Sequence, residues 1–105
     1  MWGKRNKYHA VVTYVDNIRF ASKKEATRYK ELSLLLKLGK IKDLQLQVKF
    51  PLSINGIKIC DYIADFVYEE NGIKVVEDTK GVRTHVYLIK KKLMKAIYGI
   101  TVTES

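Results

Sequence analysis

The chain has 105 residues and a mass of 12.2 kDa, the size of one small domain, which excludes a two-lobed enzyme with a separate cofactor domain. Hydrophobic residues make up 47% and charged ones 30%, with one Pro and six Gly, a balance that excludes disordered and collagen-like classes. Twenty Lys and Arg against 11 Asp and Glu leave a net charge of +9, so a polyanionic partner is expected and nucleic acid is the commonest one. The plainer alternative is a basic protein with no such ligand. Cys60 is alone, so neither an internal disulfide nor a Cys-based zinc cluster can form, and a reducing cytoplasm fits. The basic start, Met1 to Lys7, is not followed by an uninterrupted apolar stretch, so it lacks the anatomy of a secretory signal. No segment approaches the roughly 20 apolar residues that span a bilayer, so no membrane is expected.

In chain order, residues 8–14 are rich in β-branched and aromatic residues, Asp16-Asn17 is a turn signal, and 18–20 resumes an extended pattern. That predicts a short N-terminal hairpin. Ser22 then opens a helix over residues 23–38, with Glu25 completing a Ser-x-x-Glu capping box and Gly39 closing it. Its expected inward stripe is Tyr29, Leu32 and Leu36, with Leu35 beside it and Glu25 one turn earlier on the same face. An acid in register with a buried stripe needs a reason. From Leu44 the period becomes two: Leu44, Leu46, Val48 and Phe50 alternate with Gln45, Gln47 and Lys49, and Pro51 marks an edge or a bend. Asn55-Gly56 and Asn71-Gly72 each predict a tight type I′ hairpin, which makes three antiparallel strands. Thr84 caps a second helix over residues 85–98, with Val86, Ile89, Leu93, Ala96 and Ile97 expected inward and Gly99 at its end, and residues 100–103 read as a closing strand. The order hairpin, α, β, β, β, α, β describes one α/β (α+β) domain over residues 1–105, a mixed central sheet flanked by helices, with residues 1–7 as a basic arm.

The second Asn-Gly turn carries the chemistry. With Asn71 and Gly72 as loop residues, Glu70 pairs with Ile73, Tyr68 with Val75 and Phe66 with Glu77, and Asp65 falls opposite Asp78. Like charges across a ladder are destabilising, so the pair implies a compensating cation, a shared proton or another register. A divalent metal is the first candidate. Lys80, two residues beyond Asp78, shares its face, so Asp65, Asp78 and Lys80 become neighbours. Mg²⁺ takes oxygen ligands, often one or two carboxylates plus water and phosphate, and a lysine can stabilise charge on a transferring phosphate.

Asp65 and Asp78-Thr79-Lys80, between a helix bearing Glu25 and a second helix, resemble the PD-(D/E)xK nuclease superfamily, whose core order is αβββαβ. Phe20-Ala21-Ser22-Lys23-Lys24-Glu25, Leu44-Gln45-Leu46-Gln47, Tyr62-Ile63-Ala64-Asp65-Phe66-Val67 and Val75-Val76-Glu77-Asp78-Thr79-Lys80-Gly81 are similar to a family of small phage-encoded proteins assigned to that superfamily, over nearly the whole chain. The resemblance implies a restriction-endonuclease-like fold, with Asp65 and Asp78 as ligands of Mg²⁺ or Mn²⁺, Lys80 as the catalytic lysine and Glu25 as the acid supplied by the first helix. Ala64 stands where the name-giving proline would be, and Asp78 replaces the commoner Glu. A phage role in recombination or replication, a branched or junction DNA substrate, a homodimer and a place in the bacterial host cytoplasm follow by the same resemblance.

Each residue also has a plainer role. Glu25 can be no more than the helix-cap partner of Ser22, and Asp65 and Asp78 can be surface charges. Lys80 can be a solvated lysine, and Asp61 a strand-end charge rather than an auxiliary ligand. Glu77 points to the opposite face and reads as a salt-bridge partner. Gln45 and Gln47 are exposed strand positions or auxiliary groups that hydrogen-bond a water or phosphate at the site. His9 and His85 have no metal-ligand spacing. Lys90, Lys91, Lys92 and Lys95 on the outward side of the second helix, Arg83, and Lys4, Arg5 and Lys7 in the arm are expected to contact DNA phosphates without reading sequence. The expected activity is metal-dependent endonucleolytic hydrolysis of DNA. The rivals are a non-catalytic DNA-binding protein that keeps the fold, and a basic subunit that binds a phage partner protein.

Overall fold

The computed structural model describes residues 11–79 and 82–105. Two strands, β1 (Thr13–Val15) and β2 (Ile18–Phe20), form the N-terminal hairpin around Asp16 and Asn17, both at positive φ. Helix α1 (Lys23–Lys37) follows. The Ser22 hydroxyl accepts the Glu25 N–H at 3.1 Å, and the helix ends where Gly39 takes a φ of 73°. Strands β3 (Lys42–Ile54), β4 (Ile57–Glu70) and β5 (Ile73–Asp78) are antiparallel and joined by the two Asn-Gly turns. At each turn both residues have positive φ, as a type I′ turn requires. Helix α2 (His85–Tyr98) then leads to β6 (Thr103–Glu104), which lies parallel to β5. The sheet order is β3-β4-β5-β6, a mixed sheet in which β3 is an edge strand that tolerates Pro51. The closing strand begins later than residues 100–103 suggested and has only two residues.

Two apolar clusters divide the core. One joins α1 and the N-terminal hairpin to the sheet through Phe20, Ala26, Leu32, Ile41, Phe66 and Tyr68. The other joins α2 to it through Leu52, Tyr62, Ala64, Val76, Tyr87 and Met94. Leu32 and Met94 are wholly buried, each contributing about 1.5–3 kcal/mol.

Residues of one parity on a single strand serve both clusters. Leu44 and Leu46 pack with the α1 cluster, whereas Val48, Phe50 and Leu52 pack with the α2 cluster; on β4, Phe66 and Tyr68 go to the first and Tyr62 and Ala64 to the second. The handover on β3 falls at Gln47, whose φ of 53° breaks the extended pleat, and on β4 it falls at Asp65. The pairing of β4 with β5 also stops here, at Phe66–Glu77. Beyond this level the β3–β4 hairpin continues without β5 beside it.

Both helices differ in part from the faces expected of them. On α1, Leu36 is exposed, and the inward residues are Glu25, Ala26, Leu32 and the half-buried Tyr29 and Leu35. On α2, Val86 and Ile89 are 62% and 58% exposed and Ala96 is exposed too, while Tyr87 and Met94 are buried. The helix is turned so that Tyr87 and Lys91 reach Glu104 on β6. Apolar residues lie on two sides of α2, and the side with Tyr87 and Met94 docks.

Candidate active site

The handover level is where the acids gather. Glu25 is in the first turn of α1 and only 7% exposed, because Ala26 and Leu32 draw that face of the helix onto the sheet. One nitrogen, Nε2 of Gln47, donates to Glu25 Oε2 at 3.0 Å and to Asp65 Oδ1 at 3.3 Å. Carboxylates from α1 and β4 therefore meet on a single amide. Gln47 holds a left-handed backbone to do this, a conformation that costs a non-glycine residue about 1–2 kcal/mol and that recurs at functional sites.

Asp65 and Asp78 interlock across the gap where the strand ladder ends. Asp78 Oδ1 accepts the Asp65 N–H at 2.9 Å, and Asp65 Oδ2 accepts the Thr79 N–H at 3.0 Å and its hydroxyl at 3.2 Å. Each carboxylate satisfies backbone of the opposite strand that would otherwise lack a partner. The register 70–73, 68–75 and 66–77 is as expected, but the next step is made by side chains and not by a ladder pair. Asp78 is fully buried and also accepts the Tyr62 hydroxyl. Burial, reinforced by that contact, pushes the Tyr62 phenol far above its ordinary range, so it remains a neutral donor.

The donor set suits a hard cation. Carboxylate oxygens of Glu25 and Asp65 share one small donor, and Asp78 is bonded to the backbone of Asp65. Among the described residues no group of three or more His, Cys, Asp or Glu side chains stands ready as a cage. Mg²⁺ does not need one, since one or two carboxylates plus water and phosphate suffice. The residues that would hold the ion are Asp65 with Asp78 or Glu25.

The other expected site residues are placed variously. Lys80, the arm residues Lys4, Arg5 and Lys7, and His9 lie outside the described residues. Gln45 is not brought to the acids: it pairs with Val67 and lines a cavity of about 280 Å³ with Asp43, Glu69 and Lys74. Asp61 forms an ion pair with Lys58 at 2.9 Å. Glu77 is the salt-bridge partner expected of it. It is 1% exposed and takes Arg28 from α1 through Nε at 2.6 Å and a second guanidinium nitrogen at 3.1 Å, with the Tyr68 hydroxyl at 2.6 Å. Burial alone would raise the Glu77 carboxyl, but the bonds from Arg28 and Tyr68 outweigh it and hold the group below its ordinary value. Burial and the same carboxylate push the Tyr68 phenol up to about 12.

On α2, Lys90 and Lys91 are half-buried, not fully outward, and Lys92 and Lys95 are exposed. Arg83 and Lys91 both reach Glu104, at 3.3 and 3.2 Å. His85 is the exposed first residue of α2.

Sequence reading passed over Tyr62 and Thr79, which hold the two aspartates, and Arg28, which ties α1 to β5. Strict alternation separates Tyr62 from Asp65, and only the break at Asp65 brings it to Asp78. Arg28 had one available signal, its place one turn after Glu25 on α1.

Residues 5–103 match the family described as "Protein of unknown function (DUF1064)". The chain belongs to the DUF1064 family. No curated protein and no solved structure matches it. The matched stretch of this DUF1064 chain contains Glu25, Gln47, Asp65, Asp78 and Lys80, so the acid cluster belongs to the family domain and not to an appendage.

Proposed function

We propose that this DUF1064 chain is a Mg²⁺- or Mn²⁺-dependent endodeoxyribonuclease of the PD-(D/E)xK type. The observation that carries the reading is the meeting of Glu25 and Asp65 on the Gln47 amide, with Asp78 locked to Asp65 alongside. When bound, the metal would polarise a phosphodiester and lower the pKa of an attacking water. Asp65 and Asp78 would hold the ion through carboxylate oxygens. Glu25 orients the water and takes its proton. Lys80, the lysine the resemblance implies, would supply positive charge to the phosphate as the water's oxygen bonds to phosphorus and the bond to the departing strand breaks, the departing oxygen taking a proton from solvent. The net charge of +9 supplies sequence-independent attraction to the backbone.

A branched or junction substrate and a homodimer rest on the resemblance to phage nucleases, since cutting two strands takes two sites. Placement in the host cytoplasm has the same footing. One observation favours a second reading, a non-catalytic DNA-binding protein that keeps the fold: Asp78 is fully buried, with both oxygens engaged by Asp65 and Tyr62. A cleavage panel separates the two. Linear, flapped and four-way labelled DNA are incubated with the protein and EDTA, Mg²⁺ or Mn²⁺. Metal-dependent products, with four-way DNA cut fastest, are expected; binding without products under every condition selects the second reading.

A further inference from the structure

A cavity lined by basic side chains lies beside β6, and two of those side chains are tied to a carboxylate on that strand. Arg83, Lys91, Lys92 and Lys95 line one cavity of about 310 Å³ with Leu88, Thr101 and Val102. Two of these residues also meet Glu104, whose Oε2 accepts from the Tyr87 hydroxyl at 2.8 Å and from Lys91 Nζ at 3.2 Å and forms an ion pair with Arg83 Nε at 3.3 Å. Two cations and a phenol converging on a single oxygen is the donor arrangement that a phosphate oxygen takes. The cavity is lined by four cations, of which Arg83 and Lys91 pair with Glu104, and among the described residues Lys92 and Lys95 have no ion pair.

Position gives this a purpose. Glu104 is the register partner of Asp78 in the parallel β5–β6 pair, and the Ser105 N–H donates to the Asp78 carbonyl at 2.9 Å. Adjacent strands are about 4.8 Å apart, so a phosphate here would sit one strand over from the candidate metal ligand. Because β6 has two residues and the Glu104 side chain is 27% exposed, the carboxylate can swing away without opening the core.

We propose that Arg83, Tyr87, Lys91, Lys92 and Lys95 form a binding site for a backbone phosphate of DNA, flanking the phosphate that is cut, and that Glu104 engages Arg83, Tyr87 and Lys91 as a stand-in until DNA displaces it. The identity of the polymer rests on the nuclease reading; the site itself is tested without cleavage. The measurement is fluorescence anisotropy of a short fluorescein-labelled duplex bound to the full chain in EDTA, over a range of KCl concentrations. The double variant K92A/K95A should bind more weakly and lower the salt slope by about 1, at roughly 0.9 for the one phosphate contact. Glu104→Gln should bind roughly fivefold more tightly, the scale of one lost charge competitor. The exposed pair Lys37→Ala/Lys40→Ala, at the last residue of α1 and just beyond it, should leave both readings unchanged.

An unchanged slope in K92A/K95A, or unchanged or weaker binding by Glu104→Gln, would overturn the assignment; the latter, with a lowered melting temperature, would leave Glu104 a structural latch. Inorganic phosphate is the second arm. It should displace duplex no better than chloride at matched ionic strength, and saturable displacement would assign the cavity to free phosphate instead. Absence of cutting, by contrast, would count against the nuclease reading and leave this site standing.

Discussion

Glu77 and Asp78 are consecutive on β5, both buried, and they are used in opposite ways. Glu77 faces α1 and meets a guanidinium through two bonds and a phenol through a third. Asp78 reaches the other way, to the Asp65 backbone at the end of the strand ladder and to Tyr62 in the α2 cluster. The first arrangement fastens a helix to a sheet. The second holds a carboxylate at a fixed point beside Asp65. One acid therefore carries stability and its neighbour carries the proposed chemistry, and α1 serves both, with Arg28 on Glu77 and Glu25 on the Gln47 amide.

The largest expected effect breaks the stabilising half. Arg28→Met leaves Glu77 charged and buried without its cation, and should cost about 3–5 kcal/mol in urea unfolding; adding Glu77→Leu should recover most of that loss. A loss below about 1 kcal/mol would show that the pair does not fasten α1.

The next effect is a pH dependence. The folded-state pKa of Glu77 lies below its ordinary 4.5, so its contribution is complete above that value and is lost as pH falls through the folded-state value, where the unfolded chain binds the proton more readily. Glu104, held low by the Tyr87 hydroxyl and by Lys91, acts in the same direction. Unfolding free energy followed from pH 6 down to 3 should fall less steeply in Glu77→Gln than in the parent protein; parallel curves would remove Glu77 from the account.

The smallest effect sharpens the other half. Gln47→Gly relieves a left-handed backbone and should change stability by no more than about 1 kcal/mol, in the stabilising direction where the lost hydrogen bonds do not offset it. Metal-dependent cutting should nevertheless drop, because the amide that joins Glu25 to Asp65 is gone. Full activity in this variant would mean that the bridge does not organise the site.

Much of the fold was legible because its signals are local. The Asn-Gly turns set the β3–β4 and β4–β5 pairing, Ser22 and Thr84 mark the helix starts, and alternation placed Glu77 on the face where Arg28 meets it. The identities of Glu25, Asp65 and Asp78 as the acids to watch came from the same reading. What could not be read is non-local. Gln47 carries no turn chemistry that would announce a left-handed residue, so the change of cluster at Gln47 and Asp65 was invisible and Tyr62 was missed. The phase of α2 was misread in part. Leu93 and Ile97 pack against the core as their spacing suggests, yet Val86 and Ile89 are exposed while Tyr87 and Met94 are buried.

The central claim is tested most directly by the neighbouring isosteric substitutions Asp78→Asn and Glu77→Gln, compared in one Mg²⁺-dependent cleavage assay on labelled DNA with folding monitored by circular dichroism. Asp78→Asn should fold and bind DNA but cut at least ~100-fold more slowly, whereas Glu77→Gln should be less stable and cut at nearly the parent rate per folded molecule. Cutting by Asp78→Asn at the parent rate, or no cutting by the parent protein with any divalent ion, would contradict the account.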